Sequence, residues 1–221
     1  MKFLFRFCVV LLPWALRRYV LKGVYGYHLH PTARIGLSWI FPEELTMGEG
    51  AYIGHLNVAI RLHRMVLGPH ALIHRNNWIT GVPRGDPVHF QHRGDRDPAL
   101  VMGAHSAITK THHIDCCDRI EIGAFATVGG YDSQLLTHGI DFERNRQDAA
   151  PIQIGDYAFV GTNVVILGGS RLPARSVLGA KALLNKTHTE TDCLYAGVPA
   201  TPIQRLPEGA AYFRRTTGFV E

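Results

Sequence analysis

The chain has 221 residues, of which 46% are hydrophobic, and a formal charge of +5. That length buries a sizeable core in one domain, and the composition excludes a disordered or low-complexity chain. The charge is lopsided: residues 1–42 hold six basic residues and no acid, leaving a near-neutral body. This excludes the interleaved Lys and Arg surface that a polyanion groove needs, and no nucleic-acid partner is expected.

The leader MKFLFRFCVVLLPWALRRYVLKGVYGY predicts a basic amphipathic helix over residues 1–28. Its uncharged run, Phe7 to Leu16, is too short to span a bilayer, Pro13 interrupts it, and no small-residue cleavage site follows. Two roles stand side by side. The helix lies in a membrane interface with Lys2, Arg6, Arg17, Arg18 and Lys22 toward anionic head groups, or it packs on the protein and covers an open end of the core. The first role would place the protein in the cytoplasm, peripheral at the inner face of the cytoplasmic membrane. The cysteines Cys8, Cys116, Cys117 and Cys193 lack C-x-x-C spacing and read as reduced thiols of a cytoplasmic protein.

After the leader the chain acquires a period of six. Ile154, Val160, Ile166, Leu172, Leu178 and Leu184 are all aliphatic, and the residues four places on are Ala158, Val164, Ser170, Ser176, Ala182 and His188. A helix repeats at three and four and a strand at two, so six belongs to a coil of short strands with one flat face and one corner per unit. Less regular aliphatic-Gly pairs carry the pattern back to about Leu29; Met102, Ile108 and Ile114 keep step before the frame slips by two through Cys116-Cys117-Asp118. The expected fold is all-β: a parallel β-helix over residues 29–206, about eight coils and about 40 Å long at roughly 4.8 Å per coil, followed by a short tail over 207–221. The leader and the tail after Pro199 are its natural caps.

Two segments break the rhythm. GVPRGDPVHFQHRGDRDPAL, Gly81 to Leu100, reads as a solvated corner loop in preference to an active-site flap. The second break follows LLTHGID at His138.

The motifs IGAFATVGG, LLTHGID, PIQIGDYAFVGTN, SVLGAKALLNK and YAGVPATPI resemble, in order and spacing, those of the hexapeptide-repeat acyltransferases, the left-handed parallel β-helix family that includes galactoside and maltose O-acetyltransferases. The resemblance covers about Leu29 to Leu206 and implies a left-handed coil, a homotrimer with sites between subunits, and acyl transfer from acetyl-CoA or another acyl-CoA to a sugar or glycan hydroxyl. It makes His138 the general base, with Gly139–Pro151 folding over the acceptor or reaching a neighbouring subunit. It assigns the acyl-CoA to Gly161, Thr162, Gly179, Ala180, Asn185 and Lys186, and the acceptor to Thr109. Asp141, Asn145 and Arg146 in the excursion are polar candidates for hydroxyl recognition. Thr201 and Gln204 stand where many relatives carry a basic residue, so Arg205 or Lys181 would have to compensate, and an acyl carrier protein donor stays open.

Among the thirteen histidines, His105, His112 and His113 read as solvated residues on repeat units, and His188 marks the end of the coil. No two histidines are separated by five, the spacing of the zinc-dependent carbonic anhydrases that share this coil, so no metal is expected. The non-enzymatic alternative is a scaffold that binds a partner or membrane.

Overall fold

The structure, a computed structural model, describes residues 2–218 and 220. After two helices, the chain winds through three parallel sheets in strict rotation, one short strand per sheet per coil. The first wall runs from His28–Leu29 to Arg171–Leu172, the second from Arg34–Ile35 to Val177–Leu178, and the third from Trp39–Phe41 to Leu183–Leu184. Seven complete coils result, short of the eight the repeat suggested, with Cys193–Ala196 adding one further strand to the second wall. Every wall contact between coils is parallel and in register, as in Met102 opposite Ile122 and Ile154 opposite Leu172. The two-residue frame slip is thus taken up at a corner, outside the ladder.

The interior is the aliphatic column that the six-residue count predicts. Ile154, Val160, Ile166, Leu172, Leu178 and Leu184 are all buried, as are the small residues Ala158, Ser170, Ser176 and Ala182. His188, where the series ends, lays its ring on Tyr195 at 4.3 Å.

Corners demand a sharp reversal, and many place a residue in the left-handed region. Between the first and second walls, His70, His105, Phe125 and Tyr157 have φ of 57°, 58°, 59° and 58°. Their rings stack at 4.9, 4.8 and 4.6 Å, close to the coil spacing, so contact between successive rings offsets the strain that a side chain suffers there. His105 is therefore partly covered, not simply solvated. The tail returns along this corner: Tyr157 donates its hydroxyl to the Arg215 carbonyl at 3.2 Å, and the Arg215 guanidinium bonds the Phe125 carbonyl.

At the corner between the second and third walls a different column appears. Asn57 Oδ1 accepts the Asn77 amide N–H at 2.9 Å, Asn77 Oδ1 accepts the His112 N–H at 3.0 Å, and His112 Nδ1 accepts the Ser133 N–H at 3.1 Å. His112 is fully buried as one rung of this column, correcting its reading as a solvated residue; His113, its neighbour, is exposed. Burial lowers the His112 pKa to about 4, so the ring is neutral in the fold.

The leader is two helices, α1 (Lys2–Leu11) and α2 (Trp14–Tyr25), not one. Pro13 lacks a donor and cannot extend α1, so it starts a new helix instead. Arg17 is buried and donates to the Gly36 and Ser38 carbonyls at 2.7 and 2.6 Å, while Arg18 donates to the Pro31 carbonyl at 2.7 Å. These carbonyls belong to the first coil, which has no coil beneath it to supply donors. Arg17 and Arg18 therefore serve the cap and do not face head groups; the Lys2 side chain lies outside the described residues. Arg6 lies over the Phe41 ring at 5.0 Å. At the other end, Cys193–Ala196 and Thr201–Arg205 form an antiparallel hairpin, with Tyr195 buried beneath it.

Replacing Arg17 with Ala strips two charge-assisted bonds from buried carbonyls and is expected to cost about 3 kcal/mol in urea denaturation. Acidification tests His112 separately. The unfolded chain protonates this histidine near pH 6.5 while the fold resists until about 4, so its contribution is intact above 6.5 and falls away through that window, by at most about 1.4 kcal/mol per pH unit. Denaturation midpoints of His112→Gln should depend less steeply on pH over the same range.

Candidate active site

The corner between the third and first walls is where both long excursions leave. The strand Gln134–Leu136 ends, Thr137 turns, and the chain departs as an antiparallel hairpin, His138–Asp141 against Arg146–Ala149. It re-enters the coil where the Ala150 N–H donates to the Thr137 carbonyl at 2.9 Å. The Thr137 hydroxyl donates to the Asp115 carbonyl at 2.8 Å and accepts the Asp118 N–H at 3.0 Å, tying the root to the coil below. Gly168 passes directly over this root: a Cβ there would sit 2.5 Å from the Thr137 carbonyl oxygen.

His138 thus stands on a rigid corner at the mouth of a cleft of about 500 Å³, bounded by Leu136, Ile140, Asp141, Asp148, Leu167 and Gly168. Its Nδ1 lies 3.2 Å from Asp115 Oδ2, and its side chain is 36% exposed while that of Asp115 is 18%. An ionised carboxylate only accepts, so Nδ1 carries a hydrogen, and when the ring is neutral Nε2 is the nitrogen with the free lone pair. Phe90 meets the imidazole edge-on at 5.8 Å and fixes its plane. This arrangement orients the imidazole beside a solvent-accessible cleft, which suits removal of a proton from a bound hydroxyl.

The loop from Gly81 to Leu100 is part of this site, contrary to its reading as a solvated corner. Phe90 is buried with Cys117 and Ala149 in a small cluster of its own. Arg96, almost fully buried, lies 4.0 Å from the Phe90 ring and donates to the Cys117 carbonyl at 2.6 Å. Arg93 clamps the hairpin, bonding the Asp148 carboxylate and donating to the Ala149 carbonyl at 2.8 Å. A solvated loop would not bury an arginine against backbone carbonyls.

The other sequence candidates divide by corner. Asn185 and Lys186 are exposed on the same corner as His138, beyond the next coil. Gly161, Thr162, Gly179 and Ala180 lie on the corner between the second and third walls, so the structure does not bring them to the His138 cleft of the same chain. Thr162 exchanges bonds with the Tyr131 backbone at 3.1 and 3.2 Å. Thr109 is on that corner too, its hydroxyl engaged with the His112 ring at 3.0 Å and the Gly130 carbonyl at 2.7 Å. Asp141 lines the cleft, but Asn145 forms the hairpin turn at φ 48°, and Arg146 pairs with Asp141 at 3.5 Å. Arg205 and Lys181 are both exposed, and Arg205 is bound to Glu190.

Asp115, Phe90, Arg93 and Cys117 were not singled out from the sequence. For Asp115 a signal existed: it stands one coil before His138, and in the structure it pairs with Leu136. The four cysteines are all unpaired thiols, Cys8 exposed and the other three buried.

No family model and no curated protein matches the chain in sequence. Among solved structures the chain is similar to a variant of AntD, an N-acyltransferase from Bacillus cereus, in complex with dTDP-4-amino-4,6-dideoxyglucose and coenzyme A, at a TM-score of 0.56, 12% identity, 73% coverage of this chain and 83% of that one. AntD in complex with dTDP and 3-hydroxybutyryl-CoA gives 0.54 at 12% identity over 86% and 88% of the two chains. A hexapeptide-repeat acetyltransferase from Vibrio cholerae gives 0.45 at 20% identity over 92% and 87%. The AntD similarity establishes the fold as the parallel β-helix in which an acyltransferase is built.

Replacing Arg93 with Met should free the hairpin from the loop. Amide hydrogen exchange in His138–Ala149 is expected to rise while the coil strands keep their protection.

Proposed function

We propose that the chain is an acyl-CoA-dependent O-acyltransferase, an O-acetyltransferase acting on a hydroxyl of a sugar or glycan precursor of exopolysaccharide or lipopolysaccharide type. The observation that carries this reading is the His138–Asp115 pair at the mouth of the cleft, on a fold shared with an acyltransferase crystallised with coenzyme A and a sugar nucleotide. His138 Nε2 takes the hydroxyl proton as the oxygen attacks the thioester carbonyl, backbone N–H groups of the coil stabilise the oxyanion, and the departing thiolate recovers the proton from His138. Asp115 holds the tautomer and balances the imidazolium charge. No acyl-enzyme forms. A scaffold would leave this oriented imidazole without a task.

The distribution of the acyl-CoA candidates supports a homotrimer of left-handed coils. The third wall is flanked by the two corners that carry them, and its outward side is largely apolar, with Val58, Ile60, Trp78, Leu136, Val165 and Leu167. With this wall toward a threefold axis, the His138 corner of one subunit meets the Gly161–Ala180 corner of the next, and the site is completed between them. Ile140 and Phe142 on the hairpin are 49% and 89% exposed and suit a neighbouring subunit.

The leader supports a peripheral membrane position. No described helix is long and apolar enough to cross a membrane, but α1 exposes Phe3, Leu4, Phe7 and Leu11 on one short helix, with Lys22 on α2 nearby in sequence. An acceptor carried on a lipid would then be presented to the corner.

In an acetyl-CoA assay on candidate glycans, followed by mass spectrometry, His138→Ala should lose roughly 10²–10⁴ in rate, equivalent to about 3–5 kcal/mol of barrier. Asp115→Asn should lose roughly 10–100-fold in kcat with little change in the acetyl-CoA KM. Near-normal turnover by the His138 variant sinks the assignment. Light scattering should show three chains per particle, and Trp78→Glu in the third wall should yield monomers without activity.

A further inference from the structure

We propose that Asp115, Cys117 and His138 form a binding site for a borderline-soft divalent cation, zinc foremost, whose occupation silences the base. The proposal rests on the acyltransferase reading for its effect on catalysis, though not for the binding itself. One donor atom from each of the three residues falls within 4.8 Å of the others, and the His138 Nδ1 to Asp115 Oδ2 separation is already 3.2 Å. Zinc bonds to imidazole, carboxylate and thiolate are roughly 2.0–2.3 Å, so tetrahedral donors stand about 3–4 Å apart and only a small closure is required.

The three donors are held on two adjacent coils. Asp115 Oδ1 accepts the Cys117 N–H at 2.8 Å, which fixes the carboxylate and brings the cysteine back toward it. The Asp115 carbonyl is pinned by Thr137, the residue before His138. Cys117 is buried and His138 lines the cleft, so the imidazole is the donor nearest to open water, from which a fourth ligand would come. The donor set chooses the ion: a thiolate beside an imidazole disfavours magnesium and calcium and suits zinc.

Burial first, and then the Asp115 carboxylate, push the Cys117 thiol up, so it is neutral in the metal-free protein; the Arg96 cation beside it acts in the opposite sense. On binding, the sulfur forms its bond to the metal and its proton passes to water. Nδ1 likewise gives up its hydrogen when it coordinates, and Nε2 takes one from solvent. The imidazole is then neutral with its only hydrogen on the nitrogen that must accept the acceptor's proton. Two protons leave and one is taken up, with no change of oxidation state, and the base is lost without steric blockage of the cleft.

Cobalt(II) serves as the probe of binding, because a thiolate ligand gives a charge-transfer band in the near ultraviolet. The purified full chain should show this band, zinc should displace it, and both Cys117→Ser and Cys117→Ala should lack it while keeping the wild-type circular dichroism. In the transferase assay, zinc should inhibit the wild type reversibly with EDTA, and each Cys117 variant, measured against its own zinc-free rate, should need roughly tenfold or more zinc for the same fractional inhibition. Absence of the cobalt band in the wild type, or equal zinc sensitivity of wild type and both variants, overturns the site. A cobalt band lost on Cys117 substitution in a chain with no transferase activity upholds the site and defeats the enzyme assignment instead.

Discussion

A coil in this protein cannot satisfy its own backbone. Each strand is two to four residues long in the walls and finds its hydrogen-bond partners only on the coil above and the coil below. From this follow both the buried aliphatic column and the confinement of irregularity to corners. An insertion within a wall would break two ladders at once, whereas an insertion at a corner breaks none. The loop between Gly81 and Leu100 and the hairpin after Thr137 both obey this rule and leave from the same corner, which is why the cleft beside His138 forms there. The same need explains the ends: Arg17 supplies the first coil with donors that no coil beneath it can give, and the hairpin closing the second wall covers the last.

The walls were legible because the interior tolerates only aliphatic residues at a fixed interval, and six successive positions from Ile154 to Leu184 advertise it. The place of His138 at a departing corner was legible because it stands just before the period fails. What lay hidden depends on contacts between coils, where residues distant in sequence meet through stacking. Asp115 lies 23 residues from His138 and is joined to it only by the registration of two coils. Arg93 and Phe90 are in a charged stretch whose composition reads as solvent-facing, and only the packing of Arg96 against Phe90 and the Cys117 carbonyl reveals an ordered wall of the site. His112 was misjudged for the same reason: its place in a polar column depends on Asn77 and Ser133, one coil away on either side.

The leader shows how one amphipathic segment divides its tasks. Pro13 splits it, and the second half turns its two arginines inward to finish the coil. The first half buries Val9 but leaves Phe3, Leu4, Phe7 and Leu11 outward. A single hydrophobic stripe in sequence thus contains a structural cap and an unfilled apolar face, and the division falls at the residue that cannot donate a hydrogen bond.

The asparagine, histidine and serine column at the second corner bears on how such a chain finds its native winding. Units so alike invite mispairing, since an aliphatic strand displaced by a whole turn meets another aliphatic strand and loses little. Above the Asn57 and Asn77 pair the side-chain rungs change from one level to the next, to His112 and then Ser133, and each is complementary to its own neighbour. A displaced turn would strand an amide or imidazole away from its mate in the dry interior, so the column acts as a set of tally marks against misregistration in an otherwise monotonous thread.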